Sequence, residues 1–161
     1  MTTTFKDCLQ RRRIIHFPEA VNLVAPEIED AKNDLLSAEQ EFKNGGNKWA
    51  TIKGYYSMFH SARALLHSKG YRERGHYCLY LAVVEFFVKE KKLSAKLAED
   101  FKNSMILRED ADYGRGFSKN GAAATIKCAK AFFKATKILL KVNKSRKALP
   151  SAKQIETEFG T

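Results

Sequence analysis

Apolar residues recur at alternating steps of three and four along almost the whole chain. That spacing suits one face of an α-helix, and no strand pattern rises above it. The first run, from about Pro18 to Lys43, carries Val21, Val24, Ile28, Ala31, Leu35, Ala38 and Phe42. Pro26 marks a kink or a later start within it. Asn44-Gly45-Gly46-Asn47 then stops one helix and starts the next. The second run, about Lys48 to Lys69, carries Trp49, Ile52, Tyr56, Phe59, Arg63 and Leu66, and Gly70 closes it. A third begins near His76 with Tyr77, Tyr80, Leu81, Val84, Phe87 and Val88. Ser94 caps a fourth, with Leu97, Phe101, Ser104 and Met105. The fifth opens after Ser118–Gly121 and runs to about Asn143, with Thr125, Cys128, Phe132, Ala135, Leu139 and Val142. Five such helices with mostly short connections predict an all-α fold, an up-and-down helical bundle.

At 161 residues the chain suits one domain. It divides into a basic N-terminal arm (1–17), the bundle (18–143) and a basic, polar tail (144–161), where Pro150 and Ser151 would cap a short terminal helix. The formal net charge is +11, which suggests an anionic partner such as RNA or a nucleotide. The charge is uneven. Residues 18–44 hold two basic and seven acidic side chains, whereas residues 47–143 hold nineteen basic and eight acidic. Such a division also suits self-association. Three cysteines without CxxC spacing read as reduced thiols of a cytosolic protein. The N-terminus, with Arg11-Arg12-Arg13 and no apolar stretch before it, is not expected to be a signal peptide. No apolar run approaches the length of a membrane span.

The charged residues that fall on apolar faces are the candidates for chemistry. Leu107-Arg108-Glu109-Asp110-Ala111-Asp112-Tyr113-Gly114 ends the fourth run, and Arg108 and Asp112 lie four apart on the face that continues Leu97, Phe101 and Met105. A cation carried toward a core needs a partner, and Asp112 is the one in reach. Tyr113, at a helix end broken by Gly114, would present its hydroxyl outward. On the second run Tyr56, His60 and Arg63 share one face. His60 and His67, seven apart, lack a third nearby ligand, so neither a metal nor another cofactor is expected. His76 follows the basic loop Tyr71-Arg72-Glu73-Arg74-Gly75 at a helix start. There it should lose proton affinity and act as a neutral acceptor or base, and Arg72 and Arg74 would help hold a phosphate.

Together, Tyr55-Tyr56-Ser57-Met58-Phe59-His60-Ser61-Ala62-Arg63-Ala64-Leu65-Leu66, the later loop with His76, and the segment Leu107–Gly114 resemble a HEPN domain (higher eukaryotes and prokaryotes nucleotide-binding). The likeness is to the small stand-alone prokaryotic members and covers roughly residues 18–143. It implies a helical bundle that forms a homodimer and is commonly paired with a minimal nucleotidyltransferase in a toxin–antitoxin system. Many such proteins are metal-independent endoribonucleases, with an arginine followed after four to six residues by histidine. In some pairs the nucleotidyltransferase transfers AMP to a tyrosine near that histidine. Here Arg108 stands where the arginine is expected, but Asp112, Tyr113, Gly114 and Arg115 follow it instead of histidine. Arg11 and His16 fit the spacing by letter only, in the arm.

Metal-free RNA cleavage needs a base for the 2′-hydroxyl and a stabiliser for the phosphorane. The resemblance and the residue chemistry together assign Arg108, His76 and Asp112 as catalytic candidates. Tyr113, His60, Arg63, Tyr56, Arg72 and Arg74 are candidates for RNA or nucleotide binding, or for modification. The competing expectations are a non-catalytic RNA- or nucleotide-binding bundle and a pure protein-interaction bundle.

Overall fold

The computed structural model describes residues 2–146, with side chains as far as Lys141. The tail reading beyond Arg146, including the Pro150–Ser151 cap, lies outside the described residues. The chain order is α1 (Phe5–Gln10), β1 (Ile14–His16), a 3-10 turn (Pro18–Leu23), α2 (Val24–Lys43), α3 (Asn47–Ser68) and β2 (Tyr71–Glu73). It continues with α4 (His76–Val83), a π-helical extension (Val84–Val88), α5 (Ala95–Asp112) and α6 (Lys119–Arg146). The protein is an all-α bundle. Pro26 falls in the first turn of α2, where a missing N–H costs no helical bond. Gly45, at φ 78°, supplies the left-handed turn between α2 and α3. Ser94 caps α5, its Oγ accepting from the Leu97 N–H at 3.2 Å, and Ser118 Oγ accepts from Gly121 N–H at 2.9 Å.

α3 is the central helix, packed against α2, α5 and α6. Its buried residues surround most of the axis and many are small: Ala50, Gly54, Ser57, Ser61, Ala62 and Ala64. Small side chains let neighbouring backbones approach, and Gly54 shows how closely. A Cβ there would sit 2.9 Å from Thr125 Cγ2 on α6. The buried hydroxyls are satisfied locally, Ser57 donating to the Ala31 carbonyl and Ser61 to that of Ser57. Tyr56, Phe59, His60 and Arg63 lie on the half-buried side of α3, and Trp49 is exposed. The spacing-based stripe of this helix thus traces its site-bearing edge. On α6 the fully buried face is Ala122, Thr125, Ala129, Phe132 and Thr136, flanked by the half-buried Cys128, Ala135 and Leu139.

Two features depart from the sequence reading. β1 and β2 form a two-stranded antiparallel ribbon, with Ile14 opposite Glu73 and His16 opposite Tyr71. Three-residue strands are too short to leave a period-two pattern. Cys8 and Cys78 form a disulfide across 70 residues of sequence, so two of the three cysteines are not reduced thiols, and Cys128 alone is free. Nothing in their spacing announces the pair. The N-terminal arm is therefore tied to the bundle. Cys8 and Ile14 join the same core cluster as Leu65, Leu79 and Phe132, and Phe5 meets Phe86 edge-to-face at 5.5 Å. Among the described residues no helix is long and apolar enough to cross a membrane.

Candidate functional site

Helices α4 and α5 and the N-terminal arm converge on a cleft of about 290 Å³ lined by Thr3, Arg13, His76, Cys78, Arg108 and Glu109, among others. α5 brings Arg108 one turn beyond Met105, on the buried side of the helix. Its guanidinium donates to Asp112 Oδ2 at 3.2 Å, the pairing that the i, i+4 spacing predicts. The Arg108 side chain is only 11% exposed, and its carbon skeleton alone cannot offset that burial. Two aromatic faces from α3 help, the guanidinium carbon lying 5.1 Å from the Tyr55 ring centre and 5.9 Å from that of Tyr56. Asp112 is thereby engaged in holding the cation.

His76 stands at the first position of α4. Its ring stacks on Phe59 at 4.5 Å, and its Nδ1 lies 2.5 Å from the Tyr55 hydroxyl. Burial pushes its pKa down, and the Arg108 charge adds to that. The neutral state expected from sequence is thus favoured, but by burial and Arg108 rather than by the basic loop. Arg72 instead lies over Phe17 at 4.9 Å, and both Arg72 and Arg74 are exposed and do not line the cleft. The cationic wall comes from Arg13 of the arm.

The hydrogen-bond directions follow from pKa. Burial pushes the Tyr55 phenol well above its ordinary value, against the pull of the Arg108 charge, so the phenol keeps its proton. With the guanidinium lying over its ring and the imidazole held neutral, the phenol donates that proton to His76 Nδ1. An imidazole that accepts at Nδ1 carries its own proton on Nε2. His76 is therefore a neutral donor in the resting site. In the opposite tautomer His76 would donate to Tyr55 and the phenolic proton would lose its partner, at about 1–3 kcal/mol. Such an arrangement can bind an anion and deliver a proton. Glu109 is the carboxylate that lines the same cleft.

His60 and Arg63 belong to a second, separate network. His60 Nδ1 bonds Glu27 Oε2 at 2.6 Å, and its Nε2 lies 3.5 Å from Asp34 Oδ2. Arg63 lies 3.3 Å from Glu27 Oε1 and 3.0 Å from Glu73 Oε1, the latter without hydrogen-bond alignment. Burial works against a charged His60, but the Glu27 bond and the Glu27, Asp34 and Asp30 charges outweigh it and hold the pKa up. Burial likewise opposes the Glu27 carboxylate, and His60 and Arg63 pull its pKa down. The two directions agree on an ion pair. Glu27, Asp30 and His60 place one donor atom each within 4.8 Å of one another. They are the residues that could hold a metal ion, in competition with Arg63 and the proton on His60. His67 is buried and is not part of that group. Tyr56 lies between the two networks, its ring 6.5 Å from that of His60 and 6.3 Å from that of His76.

Tyr113 caps the end of α5 and is 72% exposed, with the Arg115 guanidinium 5.5 Å from its ring centre. It does not line the cleft. The structure thus brings Arg108 and His76 together, keeps Asp112 beside Arg108, sends His60 and Arg63 to α2 and β2, and leaves Tyr113 outside. Arg13 and Glu109, which line the cleft, and Tyr55, buried behind it against His76, are residues that sequence reasoning did not single out. Tyr55 had a signal, being one turn before Phe59 and beside Tyr56, whereas Arg13 had none.

The fold and this site define a class: an all-α bundle whose central helix carries aromatic residues under a buried arginine and a neutral histidine. The HEPN domain family model matches residues 27–139, and the chain belongs to the HEPN family. No curated protein matches the sequence.

Proposed function

We propose that this HEPN protein binds RNA or nucleotide phosphate at the Arg108–His76 cleft. We further propose that it acts in the cytoplasm as a homodimer, paired with a minimal nucleotidyltransferase in a toxin–antitoxin type system. The observation that carries the first part is the Tyr55–His76 hydrogen bond beside the buried Arg108. It sets an Nε2–H donor next to a guanidinium on one cleft, and a phosphate oxygen accepts from both. The net charge of +11 supports the same partner.

In the endoribonuclease version, Glu109 takes the proton of the 2′-hydroxyl and that oxygen attacks phosphorus. Arg108 bears the phosphorane charge, and His76, which must first take up a proton to become imidazolium, gives that proton to the leaving 5′ oxygen. No metal is needed. Asp112 takes no proton in this scheme, because it holds Arg108. A carboxylate is a weak base near neutral pH, and the His76 tautomer is that of a donor. That tautomer favours the second version, a phosphate-binding site without cleavage. Tyr113, exposed at the α5 end, is suited to receive AMP from the nucleotidyltransferase.

The test is digestion of RNA by purified protein, with Arg108→Ala and His76→Ala variants alongside. Cleavage lost in both supports the endoribonuclease version. Salt-sensitive RNA binding without products supports the binding version. Cleavage undiminished in both variants removes this site assignment. For Tyr113, incubation with the nucleotidyltransferase and ATP should add one AMP mass to the protein. The mass should be missing in Tyr113→Phe, and AMP transfer to that variant would discard this residue.

A further inference from the structure

The Cys8–Cys78 disulfide has a position that core stabilisation alone does not require. Cys78 lines the cleft two residues after His76, and Cys8 is fully buried behind it in α1. The arm fixed by this bond supplies the other cleft wall, Thr3 and Arg13. Apart from the disulfide, the arm is held by short elements. α1 has six residues, β1 pairs with β2 over three, and Phe5 and Ile14 supply apolar contacts. Backbone links flank the ribbon, the Arg74 N–H donating to the Arg13 carbonyl and the Phe17 N–H to the Gly70 carbonyl, each at 2.7 Å, and the His16 ring lies 5.2 Å from that of Tyr71. Short helices and two-stranded ribbons are marginal on their own.

We propose that the Cys8–Cys78 bond is a redox latch on the anion site: oxidised, it holds Arg13 at the cleft as a second phosphate-binding cation beside Arg108; reduced, it releases the arm. The inference rests on the cleft reading above. The reductant is a small dithiol or a dithiol protein. Its thiolate attacks the Sγ of Cys78, the residue of the pair that borders the cleft. The Cys8–Cys78 bond breaks, and its electron pair leaves on Cys8 Sγ, which takes a proton. The reductant's second thiol then displaces Cys78 Sγ, which also takes a proton, and the reductant departs as a disulfide. Two electrons and two protons pass to the protein. Cys128, on α6, takes no part.

The latch predicts a specific change in binding. Arg13 is an exposed cation, so its loss should weaken affinity about two- to fivefold. It should also reduce the slope of log affinity against log salt by about 0.7, as expected for one phosphate contact on a single strand. The experiment measures fluorescence anisotropy of a labelled oligouridylate at several salt concentrations. It uses oxidised protein, protein reduced with dithiothreitol, oxidised Arg13→Ala and oxidised Arg108→Ala. Amide hydrogen exchange at Ile14–His16 reports the arm independently.

The expected result is that reduction and Arg13→Ala give the same weakening and the same loss of slope, with faster exchange at Ile14–His16 on reduction only. Equal binding by oxidised and reduced protein, with binding still sensitive to Arg108→Ala, overturns the latch and leaves the cleft intact. Binding indifferent to Arg108→Ala overturns the cleft and the latch together. Exchange that accelerates through α3 and α6 as well overturns the latch, since the bond would then hold the whole fold.

Discussion

Replacing Tyr55 by Phe removes one oxygen from the centre of the site and keeps the ring that stacks on Phe101 at 5.8 Å. Two effects follow. The buried His76 Nδ1 loses its donor, and leaving such an acceptor unpaired costs about 1–3 kcal/mol of stability. The second effect is on protonation. Only the neutral imidazole accepts at Nδ1, so the Tyr55 bond stabilises the neutral form. A net hydrogen bond of about 1 kcal/mol corresponds to about 0.7 pH unit. The His76 pKa, held down by burial and by Arg108, should therefore rise by about that much in Tyr55→Phe. Nitrogen-15 shifts of the ring read both quantities during a pH titration. The wild type should show the Nε2–H tautomer and a pKa below the ordinary 6.5. The variant should show a mixture of tautomers and the higher value. A wild-type ring protonated on Nδ1, or a pKa unmoved by the substitution, would refute the hydrogen-bond directions and the donor role of His76 with them.

Three further outcomes are expected. Gly54→Ala should destabilise the fold by about 1–3 kcal/mol, because its Cβ would lie 2.9 Å from Thr125 Cγ2 at the α3–α6 crossing; an unchanged melting temperature would contradict that packing. Glu27→Gln breaks the His60–Glu27 pair, whose side chains are 20% and 11% exposed, and should cost about 2–3 kcal/mol after allowance for partial solvent screening. His60 has a raised pKa, so its contribution is fully present below the unfolded value of 6.5 and is lost as pH rises through the folded value. The gap between wild type and Glu27→Gln in denaturant melts should therefore narrow between pH 5.5 and pH 8, and a constant gap would rule out a charged pair. His76 acts in the opposite sense: its lowered pKa gives stability that is present above 6.5 and lost as pH falls through the folded value. His76→Ala should accordingly lessen the acid sensitivity of the melting temperature, and an unchanged acid limb would count against a neutral buried His76.

The bundle was legible because helical burial leaves a period that sequence alone can register. The α2 face of Ala31, Leu35 and Ala38 is buried as its spacing predicts, and so is the α5 face of Phe101, Ser104 and Met105. The Arg108–Asp112 pair was legible for the same reason, since both residues sit on one helix. α3 was harder to read. A helix enclosed by three others has no polar back, so its spacing marks where polar tips emerge rather than where the core lies. Contacts between distant elements left no trace of any kind. Cys8 with Cys78, β1 with β2 and Arg13 in the cleft are each settled by where the arm packs, and Arg63 with Glu73 by where β2 lies against α3.

The site also shows why a buried arginine is tolerated at this point of the bundle. Arg108 would be costly against aliphatic side chains, and Asp112 alone is a one-third exposed partner of limited value. The adjacent tyrosines of α3 change the balance, because their ring faces attract the cation. The Tyr55 hydroxyl keeps its proton, and His76 is the acceptor placed to take the hydrogen bond. The state of His76 is therefore set by the charge of Arg108 on a different helix and by a tyrosine on a third. The missing family histidine after Arg108 fits this view. Asp112 stands in that region to hold the guanidinium, while the imidazole enters the cleft from the start of α4, bonded to Tyr55 rather than along the same helix. In the proposed reading, an arginine with its own acid and a histidine supplied from elsewhere form a site that grips phosphate first. Cleavage in that reading requires the carboxylate of Glu109, which lines the same cleft, to take a proton from the sugar.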